Sequence, residues 1–392
     1  MNWPRSTNRM QRVQTPMIPI VGEWIAQHPG TISLGQGIVH YDPPAEVAQA
    51  AAAAAREQPR VHRYGLVRGI PELLTALESK LHADNGIALG SRATIVTTTG
   101  SNMGFLQAVL AIADVDDEII LLSPFYFNHE MAIDIAGCRA VTVATDDDYQ
   151  IDFAALEQAI TPRTRAIVTV SPSNPTGAVY SQAALTRVNQ LCRERQIYHI
   201  SDEAYEYFVY DEQPHFSPGS LPDAHEHTIS LYSLSKAYGM AGWRVGYMVV
   251  PTHLETDLKK IQDTNLVCPP IINQFAAVAA LNCGREWCRQ QVADFPVVRE
   301  IVLHELAQLG DRCRIPRPSG AFYVLAQFDT TRTDLDLVEQ LIRQFGIAVM
   351  PGSTFGTTQG CSLRIAYGAL DRQTVAEGMG RLVRGLNQLL TS

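Results

Sequence analysis

The chain has 392 residues, 46% hydrophobic and 18% charged, which is enough to bury a sizeable core and suggests one large and one smaller domain. Its net charge of -9 disfavours nonspecific attraction to nucleic acid or to an anionic membrane surface, so neither is expected as a partner. The stretch Met1 to Gln14 lacks the apolar core of a secretion signal, no apolar run approaches the length of a membrane span, and the seven cysteines show no Cys-x-x-Cys spacing. These features imply a cytoplasmic protein with buried free thiols.

The first forty residues contain Pro4, Pro16, Pro19 and Pro29 and show no sustained period, which reads as an arm laid on other parts of the fold. From Ala93 to Val250, β-rich runs recur at Ala93–Thr99, Glu118–Ser123, Arg139–Ala144, Ala166–Ser171, Ile197–Ser201, Thr228–Leu234 and Val245–Val250. Amphipathic stretches at Met103–Ile112, Asn128–Ala136 and Gln182–Arg195 are long enough to be crossover helices. The pattern predicts an α/β fold with a mostly parallel seven-stranded sheet covered by helices. After Val250 comes a helical segment around Trp287–Leu309, then sparser strands at Ala321–Ala326, Ile347–Met350 and Cys361–Ala366 and a closing helix near Arg372–Leu390. This reads as a smaller α+β domain. The expected division is 1–45 for the arm and part of the small domain, 46–280 for the large domain and 281–392 for the rest of the small one.

In open parallel sheets, ligands sit outside the carboxyl ends of the strands. One predicted strand ends in Pro172-Ser173-Asn174-Pro175-Thr176-Gly177, another in Asp202-Glu203-Ala204-Tyr205, and a third in Ser235-Lys236. A lysine with serines before it and Arg244 after it offers a primary amine beside groups that hold a phosphate, and pyridoxal phosphate meets both demands. That cofactor gives every strand end a task. Asp202 keeps the ring nitrogen protonated, Asn174 and Tyr205 donate to the ring oxygen, and Lys236 forms the Schiff base and then shuttles the proton. Two competing motifs fail: neither Gly100-Ser101-Asn102-Met103-Gly104 nor Gly352-Ser353-Thr354-Phe355-Gly356 centres on Ser, and no Gly-x-Gly-x-x-Gly follows the first strand.

The ordered set Asn-Pro-x-Gly, Asp-x-x-Tyr, Ser-x-Ser-Lys and Gly-Trp-Arg-x-Gly resembles the fold-type I, pyridoxal-phosphate-dependent aminotransferases of class I, with motifs spanning residues 33 to 368. Each motif alone is weak; their order is what makes the resemblance specific. It implies that Ser233, Ser235 and Arg244 hold the phosphate together with the helix start at Gly100, Ser101 and Asn102. It further implies that Tyr126 stacks on the ring and that Tyr64 reaches the phosphate of a neighbouring subunit, giving a homodimer with shared active sites. Arg364 would grip the substrate α-carboxylate bidentately, with Gly37 and Asn174 beside it. No metal is implied.

The resemblance implies ping-pong transfer of an amino group between an L-amino acid and a 2-oxo acid. Asn102 stands where one aspartate aminotransferase subgroup has a lysine for the distal carboxylate. Segments such as Gln36-Gly37-Ile38-Val39-His40 and Pro124-Phe125-Tyr126-Phe127-Asn128 are similar to plant aminotransferases acting on aromatic amino acids and methionine. Aromatic or methionine substrates are therefore preferred, with Ile38, Val39, His40 and Tyr41 expected to line an apolar pocket. Aspartate aminotransferase and carbon–sulfur lyase activities are the alternatives.

Overall fold

The computed structural model describes residues 7–211, 213–358 and 360–390; Pro4 lies outside the described residues. Its strands are β1 (Ile32–Ser33), β2 (Ala93–Thr98), β3 (Glu118–Ser123), β4 (Arg139–Ala144), β5 (Thr164–Val170), β6 (Tyr198–Asp202), β7 (Thr228–Ser233) and β8 (Gly246–Pro251), followed by β9 (Cys313–Arg314), β10 (Tyr323–Phe328), β11 (Ile347–Ala348), β12 (Met350–Pro351) and β13 (Cys361–Ala366).

Seven of these strands form one sheet in the order β2-β8-β7-β6-β5-β3-β4. Strand β8 runs antiparallel to both neighbours and the other pairs are parallel. The sheet is covered on both faces, as its near-continuous apolar runs predict. Alternate residues of β3 serve opposite layers: Ile119 and Leu121 pack with Phe105, Val109 and Ile133 of helices Ser101–Ile112 and Phe127–Ala136. Ile120 and Leu122 pack with Leu185, Val188 and Cys192 of helix Gln182–Arg195. The fold is the expected α/β architecture.

A second, antiparallel sheet has the order β12-β13-β10-β9. Strand β13 is internal to it, so Arg364, opposite Leu325 and Met350, is only 2% exposed. The short β1 pairs in parallel with β11, joining the N-terminal segment to the C-terminal part of the chain.

Two expectations need correction. The predicted arm contains a helix, Met17–Gln27, packed near helix Asp334–Phe345 with Val21 as its buried residue. Pro16 caps this helix and Pro19 occupies its first turn, where a missing N–H costs nothing, so prolines that read as breakers mark a helix start. The single helix expected around Trp287–Leu309 is interrupted: the helical stretch Ile271–Val292, itself broken at Gly284, ends within it, and Phe295–Ala307 follows. Pro296 is tolerated only in the first turn of the second, which forces the break just before it. Among the described residues, no helix is long and apolar enough to cross a membrane.

Candidate active site

The carboxyl ends of β5, β6 and β7 open into a cavity of about 260 Å³. Its wall contains Gly37, Ser101, Asn102, Tyr126, Asn174, Asp202, Tyr205, Ser233, Ser235, Lys236, Arg244 and Arg364. These residues come from seven separated stretches of chain, and folding brings them together. Gly100 lies just behind Arg244, against which a Cβ at that position would collide. Tyr64 does not line the cavity and is 85% exposed. Of the loop expected to form an apolar pocket, Ile38 alone reaches the wall. Tyr41 instead donates to the Lys236 and Ala237 carbonyls, and the exposed His40 packs its ring against Phe295.

Lys236 follows the end of β7, and its Nζ donates to the Gly37 carbonyl at 2.6 Å. Burial lowers its pKa from 10.5 to about 8, helped by the Arg364 and Arg244 cations and opposed by the Asp202 carboxylate. Far more of the amine is thus unprotonated near neutrality than in a free lysine, which favours its action as a nucleophile.

Asp202, the last residue of β6, is 4% exposed. One oxygen accepts from the Ala204 backbone at 3.1 Å and the other lies 3.1 Å from His129 Nε2. His129 is buried and stacks on Phe105 at a centroid distance of 4.0 Å, so the carboxylate is held in one orientation. The sequence reading did not single out His129. Its one signal, a position next to the aromatic run in the first turn of helix Phe127–Ala136, is equally that of a core histidine.

Tyr205 and Tyr323 share a hydrogen bond of 2.7 Å between hydroxyls. Burial and the neighbouring Tyr323 push the Tyr205 pKa up, so its hydroxyl stays protonated and able to donate. Asn174 Nδ2 lies 3.4 Å from the same hydroxyl, and its Oδ1 accepts from Arg364 Nη1 at 3.2 Å. Arg364 also donates to the Gly35 carbonyl and is sandwiched by the Tyr323 and Phe355 rings at 4.9 and 4.8 Å. Its buried Nε has no partner in the protein. That leaves, in the cavity wall, a buried cation with an unspent donor, which fits an incoming carboxylate. Tyr323, too, was missed, since in sequence it is one more aromatic in a buried strand.

At the opposite end, helix Ser101–Ile112 starts at Gly100 with φ of 82° and no side-chain cap. Its first-turn N–H groups are therefore available to an anion. The approach is close: a Cβ on Gly246 would stand 2.8 Å from Gly100 C and Ser101 N. Arg244 is exposed; its Nη1 donates to the Ala241 carbonyl at 2.9 Å and lies 3.4 Å from Ser235 Oγ. Tyr126 also lines the cavity, with its hydroxyl held by Asn128 Nδ2 at 2.7 Å.

A depressed lysine, a buried acid and an uncapped helix start flanked by serines and an arginine fit an aromatic aldehyde bearing a phosphate and a basic ring nitrogen. Fold and cleft together define a pyridoxal-phosphate enzyme. The profile of the family "Aminotransferase class I and II" matches residues 29–382. The chain is 31% identical over 387 residues to the aromatic aminotransferase ISS1 of Arabidopsis thaliana, covering 96% of this chain and 94% of that protein. It is 33% identical over 362 residues to the aspartate/prephenate aminotransferase of Thermus thermophilus, covering 91% of each. Among solved structures, the aromatic aminotransferase of Pyrococcus horikoshii matches with a TM-score of 0.86 and 31% identity over 94% of this chain and 99% of that one. The chain belongs to the class I and II aminotransferases and is a pyridoxal-phosphate-dependent enzyme acting on small molecules.

Proposed function

We propose that the enzyme moves the amino group of an apolar L-amino acid, aromatic or methionine, to a 2-oxo acid in a ping-pong cycle. The observation that carries this substrate choice is the charge inventory of the cleft. Among the described residues, the cavity wall has three cations, Lys236, Arg244 and Arg364, and this reading assigns all three to the cofactor and the α-carboxylate. The remaining wall includes Ile18, Ile38 and Phe127, suited to an apolar side chain.

When bound, pyridoxal phosphate supplies a carbonyl for imine formation and a ring that withdraws electrons from the substrate Cα. In this reading the Lys236 amine would hold the cofactor and would carry the Cα proton. Asp202, oriented by His129, holds the ring-nitrogen proton, and Asn174 and Tyr205 donate to the ring oxygen. Ser101, Asn102, Ser233, Ser235 and Arg244 take the phosphate with the Gly100 turn, and Tyr126 stacks on the ring. Arg364 fixes the α-carboxylate, with Gly37 and Asn174 alongside, so that the Cα–H bond faces Lys236. The proposal includes a large cofactor-binding domain over 46–280, a small domain from 1–45 and 281–392, and a cytoplasmic location. It also includes a homodimer in which Tyr64 reaches the partner's phosphate; the exposure of Tyr64 and Leu66, 85% and 62%, supports this.

A second reading, aspartate as donor, is favoured by the name of the Thermus thermophilus relative and requires a cation from outside this wall. The test is to add amino acids singly to the holoenzyme and follow the cofactor's absorption. Rapid conversion with phenylalanine, tyrosine, tryptophan or methionine supports the proposal. Conversion with aspartate alone would overturn the substrate choice, and release of ammonia without an oxo acid would indicate a lyase.

A further inference from the structure

Asp202 and Tyr205 are each followed by a glutamate, Glu203 and Glu206, and neither glutamate lines the cleft. Both enter a buried polar network built around Lys80, a residue of helix Pro71–Asn85 that in sequence reads as an ordinary solvated lysine. In the fold its side chain is 6% exposed and that of Glu206 is 9% exposed. Lysines are almost never buried unless paired.

The pairing here is a closed ring. Lys80 Nζ donates to both Glu206 oxygens at 2.5 Å and to Asn85 Oδ1 at 2.9 Å, while Asn85 Nδ2 donates to Glu206 Oε2 at 2.8 Å. Asn85 Nδ2 also donates to Ser217 Oγ at 2.9 Å, and Ser217 donates to Glu203 Oε2 at 2.5 Å, where His215 Nε2 lies 2.9 Å away. The same ammonium sits 4.8 Å from the centre of the Tyr232 ring, and Tyr232 directly precedes Ser233.

We propose that Lys80 is a positioning residue which, through Glu206, Asn85, Ser217 and Glu203, holds the 202–206 segment so that Asp202 and Tyr205 meet the cofactor. This rests on the roles proposed above for those two residues. A buried ion pair adds little net stability against an apolar replacement, but displacing one partner strands a charge in a low-dielectric interior. The network therefore permits one placement of Glu203 and Glu206. Because Asp202 and Tyr205 share their backbone, it permits one placement of these as well.

The test compares the parent with Ser217→Ala, the charge-free pair Lys80→Met with Glu206→Leu, and Tyr205→Phe as a control. Cofactor affinity is read by equilibrium dialysis, the bound cofactor's absorbance is titrated with pH, and the cofactor-free proteins are melted separately. The charge-free pair is expected to melt close to the parent yet bind pyridoxal phosphate about tenfold more weakly, with a shifted titration midpoint. Ser217→Ala, which removes one neutral donor and leaves Glu203 its contact with His215, is expected to change affinity in the same direction by about threefold, and it decides the matter if the pair fails to fold. Parent-like affinity and midpoint in these variants, while Tyr205→Phe alters both, would overturn the role of Lys80 and leave the site assignment standing. An unaltered Tyr205→Phe would instead overturn the assignment of Tyr205.

Discussion

Replacing Arg364 by lysine keeps the charge and removes the fork. In the fold, Arg364 spends Nη1 on Asn174 and Nη2 on Gly35, and its Nε is unpartnered inside the cavity wall. A guanidinium in this position offers a carboxylate two parallel charge-assisted hydrogen bonds, whereas an ammonium on a shorter stem offers one. Losing one such bond is worth about 1.5–3 kcal/mol, which converts to a fall of about ten- to a hundredfold in kcat/KM. The assay is the half-reaction of the holoenzyme with phenylalanine and, separately, with 2-phenylethylamine, which keeps the ring and the amine but lacks the carboxylate. Arg364→Lys should lose the stated factor with the amino acid and change little with the amine, and cofactor affinity should stay near the parent value. Equal losses with both compounds, or none with phenylalanine, would refute the assignment of Arg364 to the α-carboxylate.

Gly246→Ala should weaken pyridoxal phosphate binding by about tenfold or more, because its Cβ would press at 2.8 Å on backbone atoms of Gly100 and Ser101, which cannot rotate away. Equilibrium dialysis checks this. The Lys236 pKa, lowered from 10.5 to about 8, predicts that the cofactor-free protein captures pyridoxal phosphate faster as pH rises, with a midpoint near 8; a midpoint near 10.5 would contradict it. The sign for stability follows from the same shift. Between about 8 and 10.5 the unfolded chain binds the proton that the folded chain has released, so the stability of the cofactor-free protein rises with pH across that window. Lys236→Met should lose that rise, as melting curves of the two proteins would reveal.

The frame of the fold was legible because its strands are short apolar runs at the expected period. Glu118–Ser123, Arg139–Ala144 and Cys361–Ala366 form as read from sequence. Asn174, Asp202 and Lys236 were legible because each lies within three residues of the end of such a run, and parallel topology collects strand ends at one edge. What escaped were residues whose meaning lies in a distant partner. His129 is 73 positions from Asp202, Tyr205 is 118 from Tyr323, and Lys80 is 126 from Glu206. No local pattern separates a buried lysine from a solvated one on an amphipathic helix. The contacts of His40 and Tyr41 away from the cavity were hidden likewise, since their partners, Phe295 and the Lys236 carbonyl, belong to segments far along the chain.

The central claim is that Lys236 is the amine on which the chemistry turns. Its most direct test is the half-reaction of Lys236→Ala, loaded with pyridoxal phosphate, against the parent with the same amino acid donor. Loss of the proton carrier should slow conversion by about a hundredfold or more, and borohydride should no longer fix the cofactor to the protein. Turnover at the parent rate would contradict the account.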